Sequence, residues 1–262
     1  MGSARLARER YHTLYFLRYI RSFAPVFLDT EIDMTQVTEH RAAQRLAGRK
    51  YSVVSYLLLT AGRVLSARPE ANALISGRFR RRIRRPETVN GKLTLDKTLR
   101  GQRVVLATVL TGLERASLDQ IQDQVDHFRD GDPAVMPEFA PVRLLHRLPA
   151  PAGELLFRLG VGSLRRRPAL LGTFALTSLG HQPVDSFHSV GGTTITLGAG
   201  QITQRPVVRD GQVVAAPVMR LSLAFDHRVI DGAEAAEVLA GLKSGLEHFR
   251  ARAGQRLAEP VP

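Results

Sequence analysis

Residues Met219 to Phe225 read MRLSLAF. In an extended chain Met219, Leu221, Leu223 and Phe225 point one way, while Arg220, Ser222, Ala224 and the following Asp226 point the other. Side chains of a strand alternate between the two faces of a sheet, so this segment asks for a sheet with one apolar and one mixed face. Helices must then cover the apolar side. Upstream, RPVVRDGQVVAAP is expected to form a hairpin with Asp210-Gly211 as its two-residue turn. TTITLGAG and GTFALTSLG supply two more strands, the latter ending in a glycine turn. Downstream, AEAAEVLAGL is helical, and the last helix is expected to carry Ala236, Leu239, Leu242, Leu246 and Phe249, with the tail AEPVP fraying.

The first half mixes the two periods. VFLDTEID (26–33) alternates as a strand, and Met34-Thr35 leads into a polar helix ending near Gly48. Ser52 can cap an apolar helix that Pro69 stops. An arginine loop follows, then a short strand over Val89 to Leu95 and a buried strand over Arg103 to Leu110. Ser117 and Gln120 form a capping-box pair, with Leu118, Ile121, Val125 and Phe128 on one helical stripe. Residues 129–141 read as a Gly/Pro/Asp loop. Leu144 to Leu171 reads as one or two short amphipathic helices, which pack on the core, cap a substrate tunnel or rest on a membrane surface. The sum is a single α/β domain over 1–262, a two-layer sandwich of a mixed β-sheet covered by helices.

Composition narrows the function. A chain of 262 residues with 44% hydrophobic residues can bury a real core. It has no cysteine, which excludes disulfides and thiolate metal sites. No dinucleotide-binding, phosphate-loop or nucleophile-elbow motif is present. The N-terminus lacks the clean apolar stretch of a signal peptide, and no run of ~18 uncharged apolar residues occurs, so a cytoplasmic location is expected. The net charge is +13, with six arginines between Arg78 and Arg85 and three more at Arg165 to Arg167. A solvated basic loop accounts for such clusters, as does an anionic partner: coenzyme A, an acidic carrier protein or a membrane surface. Nucleic acid is the weakest candidate, because only Phe79 interleaves an aromatic ring with the arginines.

The chemistry concentrates in DHRVIDG, residues 226–232, where the alternating strand gives way to a helix. An imidazole at a strand end titrates near neutrality and can take a proton from a hydroxyl, thiol or amine. His227 is that imidazole; a strand-end histidine held by ordinary hydrogen bonds is the competing reading. Asp231 precedes Gly232 and stands three residues before Glu234, an N-terminal capping arrangement, so Asp231 and Gly232 are expected to build the turn that presents His227.

DHRVIDGAEAAEVL closely resembles the signature of the dihydrolipoyl acyltransferase catalytic domain of the 2-oxoacid dehydrogenase complexes, which shares its fold with chloramphenicol acetyltransferase. VFLDTEIDMTQV, ARPEANA (67–73), ERASLDQIQ (114–122) and GTFALTSLG are similar to further family segments, in the family's order, over roughly residues 11–250. The resemblance implies acyl transfer from a pantetheine thioester, on coenzyme A or a carrier protein, with no tightly bound cofactor and no metal. It assigns His227 as general base, Asp231 as the residue that holds the site by polar pairing, and Thr177 as oxyanion donor where the family usually has serine, with Ser178 as the alternative hydroxyl. It also implies a homotrimer in which His227 faces Thr177 of a neighbour.

Three departures shape the expectation. The length leaves no room for a lipoyl or subunit-binding domain, which points to a free-standing relative, with specialised metabolism as its setting. The family's channel-lining segment is recast as VVLATVLTGLERAS (104–117), and Leu144 to Leu171 stands where the family has a charged linker. The expected acceptor is therefore a hydroxyl, amine or thiol on a small molecule. The alternatives are a non-catalytic trimeric scaffold or regulator, and a lipoamide acyltransferase served by lipoyl domains of another chain.

Overall fold

The computed structural model describes residues 6–77 and 80–250. In chain order the elements are α1 (Tyr11–Ile20), β1 (Pro25–Asp33), α2 (Thr35–Leu46), α3 (Val53–Ser66), β2 (Leu74–Ser76), β3 (Arg82–Arg84), β4 (Gly91–Leu99) and β5 (Gln102–Leu110). They continue with α4 (Leu118–Asp130), α5 (Ala140–Arg147), α6 (Ala150–Gly162), α7 (Arg167–Leu171), β6 (Phe174–Ser178), β7 (Ile195–Arg209), β8 (Gln212–Asp226) and α8 (Gly232–Glu247). The main sheet runs β1-β8-β7-β6-β4-β5. β6 lies parallel to both its neighbours and the other pairings are antiparallel.

The alternation at Met219 to Phe225 extends across the sheet. Leu93, Leu176, Leu197, Leu223 and Leu28 stand in register on five successive strands, and the first four are at most 3% exposed. Burying a leucine side chain contributes about 1.5–3 kcal/mol, so this row fixes strand register as well as stability. α3 and α8 cover that face, joined by Val37 of α2 and by Ile121 and Val125 of α4. α3 begins where Ser52 Oγ accepts the Ser55 N–H at 3.2 Å. α4 begins with the reciprocal Ser117–Gln120 pair at 2.9 and 3.2 Å, a complete capping box.

The opposite face is built of small and polar side chains: Lys92, Ala175, Thr196 and Ala224 share one row, and Thr177, Gly198 and Ser222 the next. α1 and the 179–194 segment lie against it. A side chain at Gly200 would collide with the Asp185 carbonyl, and a Cβ at Gly198 would sit 2.6 Å from the Phe187 carbonyl, so two glycines admit the segment to the sheet. Beneath α1, Lys92 donates to the Gly191 carbonyl and lies 4.4 Å from the Phe16 ring centre. Burial pushes its ammonium down to a pKa of about 7.

α1 is held to the later helices by a pair of imidazoles. His12 Nε2 donates to the Val105 carbonyl at 2.9 Å, which leaves Nδ1 to accept from His146 Nε2, also at 2.9 Å. His12 must be neutral for this arrangement, since one of its ring nitrogens donates and the other accepts. Burial lowers both pKa values, that of His146 to about 4, where the adjacent His12 and Arg100 add to the effect and Glu9 opposes it. The unfolded chain takes up these protons below about pH 6.5 and the folded chain refuses them, so stability falls as pH drops from 6.5 towards 4. We expect this pair to cost about 2 kcal/mol across that window, or roughly 4–8 °C in Tm. Melting wild type and His146→Leu near pH 7 and near pH 4.5 checks it; equal acid shifts in the two proteins would remove the pair as the cause.

Several local expectations change. TTITLGAG continues into the first half of the hairpin, and MRLSLAF continues from its second half, giving two 15-residue strands joined at Asp210-Gly211, both with positive φ (51° and 78°). Part of the arginine loop is the β2–β3 hairpin; Arg78 and Phe79 lie outside the described residues, as does the tail AEPVP. β5 alternates rather than being buried throughout: Val104 and Leu106 face the core, whereas Val105 is 54% exposed at the sheet edge. It is the return strand of a hairpin turning at Arg100-Gly101. The 129–141 stretch contains a 3-10 turn and the start of α5, and the Leu144 to Leu171 region belongs to three helices. α6 packs on α1 through Phe157 against Tyr15 and Tyr19, which leaves Leu155, Leu156 and Leu159 exposed. On α8, Ala235 and Val238 are buried in place of Ala236, and Phe249 lies past the helix end. The N-terminal helix α1 carries no cap or stripe strong enough to announce it in sequence.

Candidate active site

β8 ends at Asp226, on the polar face, and the chain turns there. Asp226 is 2% exposed. Its Oδ1 accepts from Arg228 Nε at 2.8 Å and its Oδ2 from Arg228 Nη2 at 2.5 Å. The backbone N–H groups of Ala24 and Arg228 add bonds to Oδ1 at 3.4 and 3.2 Å. The Arg228 guanidinium stands 4.7 Å from the centre of the Phe23 ring. The Asp226 carbonyl accepts from Val229 N, and the Asp226 N–H donates to Thr194 O at 3.0 Å. Every polar group of Asp226 is thus committed to one backbone path.

His227 emerges from this anchored turn. Its N–H donates to the Ala24 carbonyl at 2.9 Å, and its ring lies 5.5 Å from that of Phe225. The side chain is 48% exposed, so solvent or a second molecule reaches it. Asp231 Oδ1 lies 3.4 Å from His227 Nδ1, which leaves Nε2 as the outward nitrogen. Asp231 is at the N-cap position of α8 with extended backbone angles, but its side chain caps no helix N–H. The capping expectation is corrected: the carboxylate faces the imidazole, and only its carbonyl enters the helix, accepting from Ala235 N at 3.1 Å. Gly232 opens α8 with space where a Cβ would stand, so backbone strain does not require glycine there.

Thr177 lies elsewhere on the same face. It pairs with Gly198 of β7, which pairs with Ser222 of β8, so Thr177 is level with a residue five positions before His227. Strand geometry then separates the two by about 19 Å: ~16 Å along the strand and two spacings of ~4.8 Å across. A single chain does not bring them together. Thr177 Oγ1 donates to Thr94 Oγ1 of β4 at 3.0 Å. Ser178 Oγ accepts from Gly180 N at 3.4 Å within the turn that ends β6. Sequence reasoning passed over Thr94, Asp226 and Arg228. An acid and a base two positions apart around the histidine was the available signal for the last two; Thr94 needs the sheet order to be seen.

Among the described residues no group of three or more histidine or acidic side chains is arranged to hold a metal, and no helix is long and apolar enough to cross a membrane.

Residues 158–252 match the family model described as 2-oxoacid dehydrogenases acyltransferase (catalytic domain). A stretch of 79 residues is 38% identical to the dihydrolipoyllysine-residue acetyltransferase component of the pyruvate dehydrogenase complex of Rickettsia typhi (strain ATCC VR-144 / Wilmington). That stretch is 29% of this chain and 20% of that much longer protein. In three dimensions the likeness reaches almost the whole chain. The dihydrolipoamide acetyltransferase of Azotobacter vinelandii superposes with a TM-score of 0.72 at 22% identity, covering 95% of this chain and 93% of that one. Chloramphenicol acetyltransferase superposes with a TM-score of 0.52 at 16% identity, covering 92% and 96%. The stretch that holds the histidine turn is thus similar in sequence to the dihydrolipoyl acyltransferase catalytic domain, and the chain as a whole has the fold that this domain shares with chloramphenicol acetyltransferase.

Proposed function

We propose that this protein is an acyltransferase that moves an acyl group from a pantetheine thioester to a thiol, hydroxyl or amine, with His227 as general base. The observation that carries the reading is His227 itself: half exposed, its backbone pinned to Ala24, and flanked by a buried ion pair that fixes the turn. A histidine kept only for packing has no need of that exposure.

With Nδ1–H directed at Asp231, the lone pair sits on Nε2. Nε2 takes the proton of the acceptor as its oxygen, nitrogen or sulfur attacks the thioester carbonyl. The carbonyl becomes a tetrahedral oxyanion, which a hydroxyl stabilises. Thr177 supplies that hydroxyl by turning its O–H away from Thr94, whose own O–H then donates to Thr177 and holds it in place. Collapse expels the pantetheine thiolate, and the imidazolium returns the proton to it. No acyl-enzyme is needed.

Because one chain holds Thr177 and His227 about 19 Å apart, the site is completed by a second copy, most simply in a closed trimer. In the Azotobacter vinelandii enzyme a serine, a histidine and an asparagine were studied for their roles in the catalytic mechanism. This chain offers threonine, histidine and aspartate in their place. The relative's name makes dihydrolipoamide the first acceptor to try. The test is thiol release from acetyl-CoA and longer acyl-CoAs with dihydrolipoamide, small alcohols and amines in turn, and with lipoyl domain added as a separate protein. Acceptor-dependent release supports the reading. Its absence across the panel, with every assembled species sampled, favours a scaffold that has kept the fold without the reaction.

A further inference from the structure

On another side of the molecule, β2, β3 and the turn between α6 and α7 flank an open cleft of about 680 Å3. Arg80, Arg82, Arg84 and Arg165 line it together with Ser76 and Ser163, and among the described residues no carboxylate does. Among the described residues none of the four arginines has an acidic partner at ion-pair distance. The next arginine along, Arg85, is neutralised by Glu70 at 2.8 Å, which shows what an ordinary surface arginine finds here.

The walls are held in place. Ser76 Oγ donates to the Gly162 carbonyl at 3.3 Å, and Arg84 Nη1 donates to the Leu164 carbonyl at 3.0 Å, strapping the hairpin to the turn. Behind them Arg167, 5% exposed, donates to Val161 O at 2.7 Å and Ile75 O at 2.6 Å and faces Tyr19, again without a carboxylate. Five guanidinium groups therefore raise the potential of one cleft, one of them buried where water screens it least. Guanidinium forks match phosphate oxygens, and the volume lies within the range of small-ligand sites.

We propose that this cleft binds a small molecule bearing a diphosphate, with the phosphates between Arg82 and Arg165 and a hydrogen bond from the Ser163 hydroxyl. The ligand class could reach the protein as the nucleotide end of coenzyme A or as a free polyphosphate. The inference concerns binding and does not depend on the acyl-transfer reading.

Titration calorimetry on the full chain, with inorganic pyrophosphate and with coenzyme A as probes, tests it. Wild type should bind at least one probe, and added salt should weaken binding. Arg82→Ser/Arg165→Ser should lose at least tenfold in affinity, while Arg82→Lys/Arg165→Lys keeps part of it. These side chains are exposed and make no ion pair, so the fold should survive; circular dichroism confirms that in the same samples. Loss for both probes marks a free-phosphate site, and loss for coenzyme A alone marks its nucleotide end. The proposal is overturned if neither probe binds or if the serine variant binds as wild type does. His227→Ala should bind as wild type does, which separates this result from any failure of catalysis.

Discussion

His227→Ala is expected to lower kcat for acyl transfer about a thousandfold, the usual worth of a positioned general base. The substitution removes Nε2 and leaves the neighbouring structure standing: the backbone bond to Ala24 stays, and Asp226 keeps all its partners. Tm should therefore move little, since the lost contacts are an exposed 3.4 Å approach to Asp231 and one ring contact with Phe225. KM for the acyl donor should also hold, because the imidazole acts on the acceptor. Equal rates for variant and wild type on a true substrate would end the catalytic assignment. A fall in KM-determined affinity with kcat intact would make His227 a binding residue instead.

The second large effect is on stability. Asp226→Leu leaves the Arg228 guanidinium, whose side chain is 23% exposed, without its carboxylate, and frees the N–H of Ala24. Breaking one partner of a buried pair costs about 3–5 kcal/mol, which for a chain of this size is roughly 6–20 °C in Tm. Arg228→Met should cost a similar amount by stranding a carboxylate that is 1% exposed. The double variant should recover much of the loss, since neither charge is then left alone. Differential scanning calorimetry of the four proteins reads the coupling directly. Additive losses would mean that the two residues act independently and that the fork does not hold the turn.

The sheet and its covering helices were legible because their signals are local. Alternation at Met219 to Phe225, the Asp-Gly turn and the Ser117–Gln120 box each lie within a few residues, and each occurs as expected. The strand ends and α1 were not, because distant partners define them. β5 looks continuously apolar, yet half of it faces outward because it is the sheet edge. α1 is fixed by His146, Ala150 and Glu154, more than 130 positions later. The same division runs through the candidate site. The histidine was visible in its motif, whereas the capping role given to Asp231 failed because i,i+4 proximity to an imidazole competed with the helix N–H groups. Thr94 became visible only once β4 was seen beside β6.

The bond between Ala24 N and the Asp226 carboxylate spans 202 positions. Among the described residues β1 pairs with β8 alone, which is made long after it. At ribosomal rates of about 5–20 residues per second, β1 waits roughly 10–40 s for its partner. The helices of the first half can collapse meanwhile, but Ala24 has nothing to fasten to until Asp226 and His227 have been made. Chains cut short before residue 226 lack both the histidine turn and the partner of Ala24. They would expose an unpaired, half-apolar edge strand, which is the form that chaperones and proteases recognise.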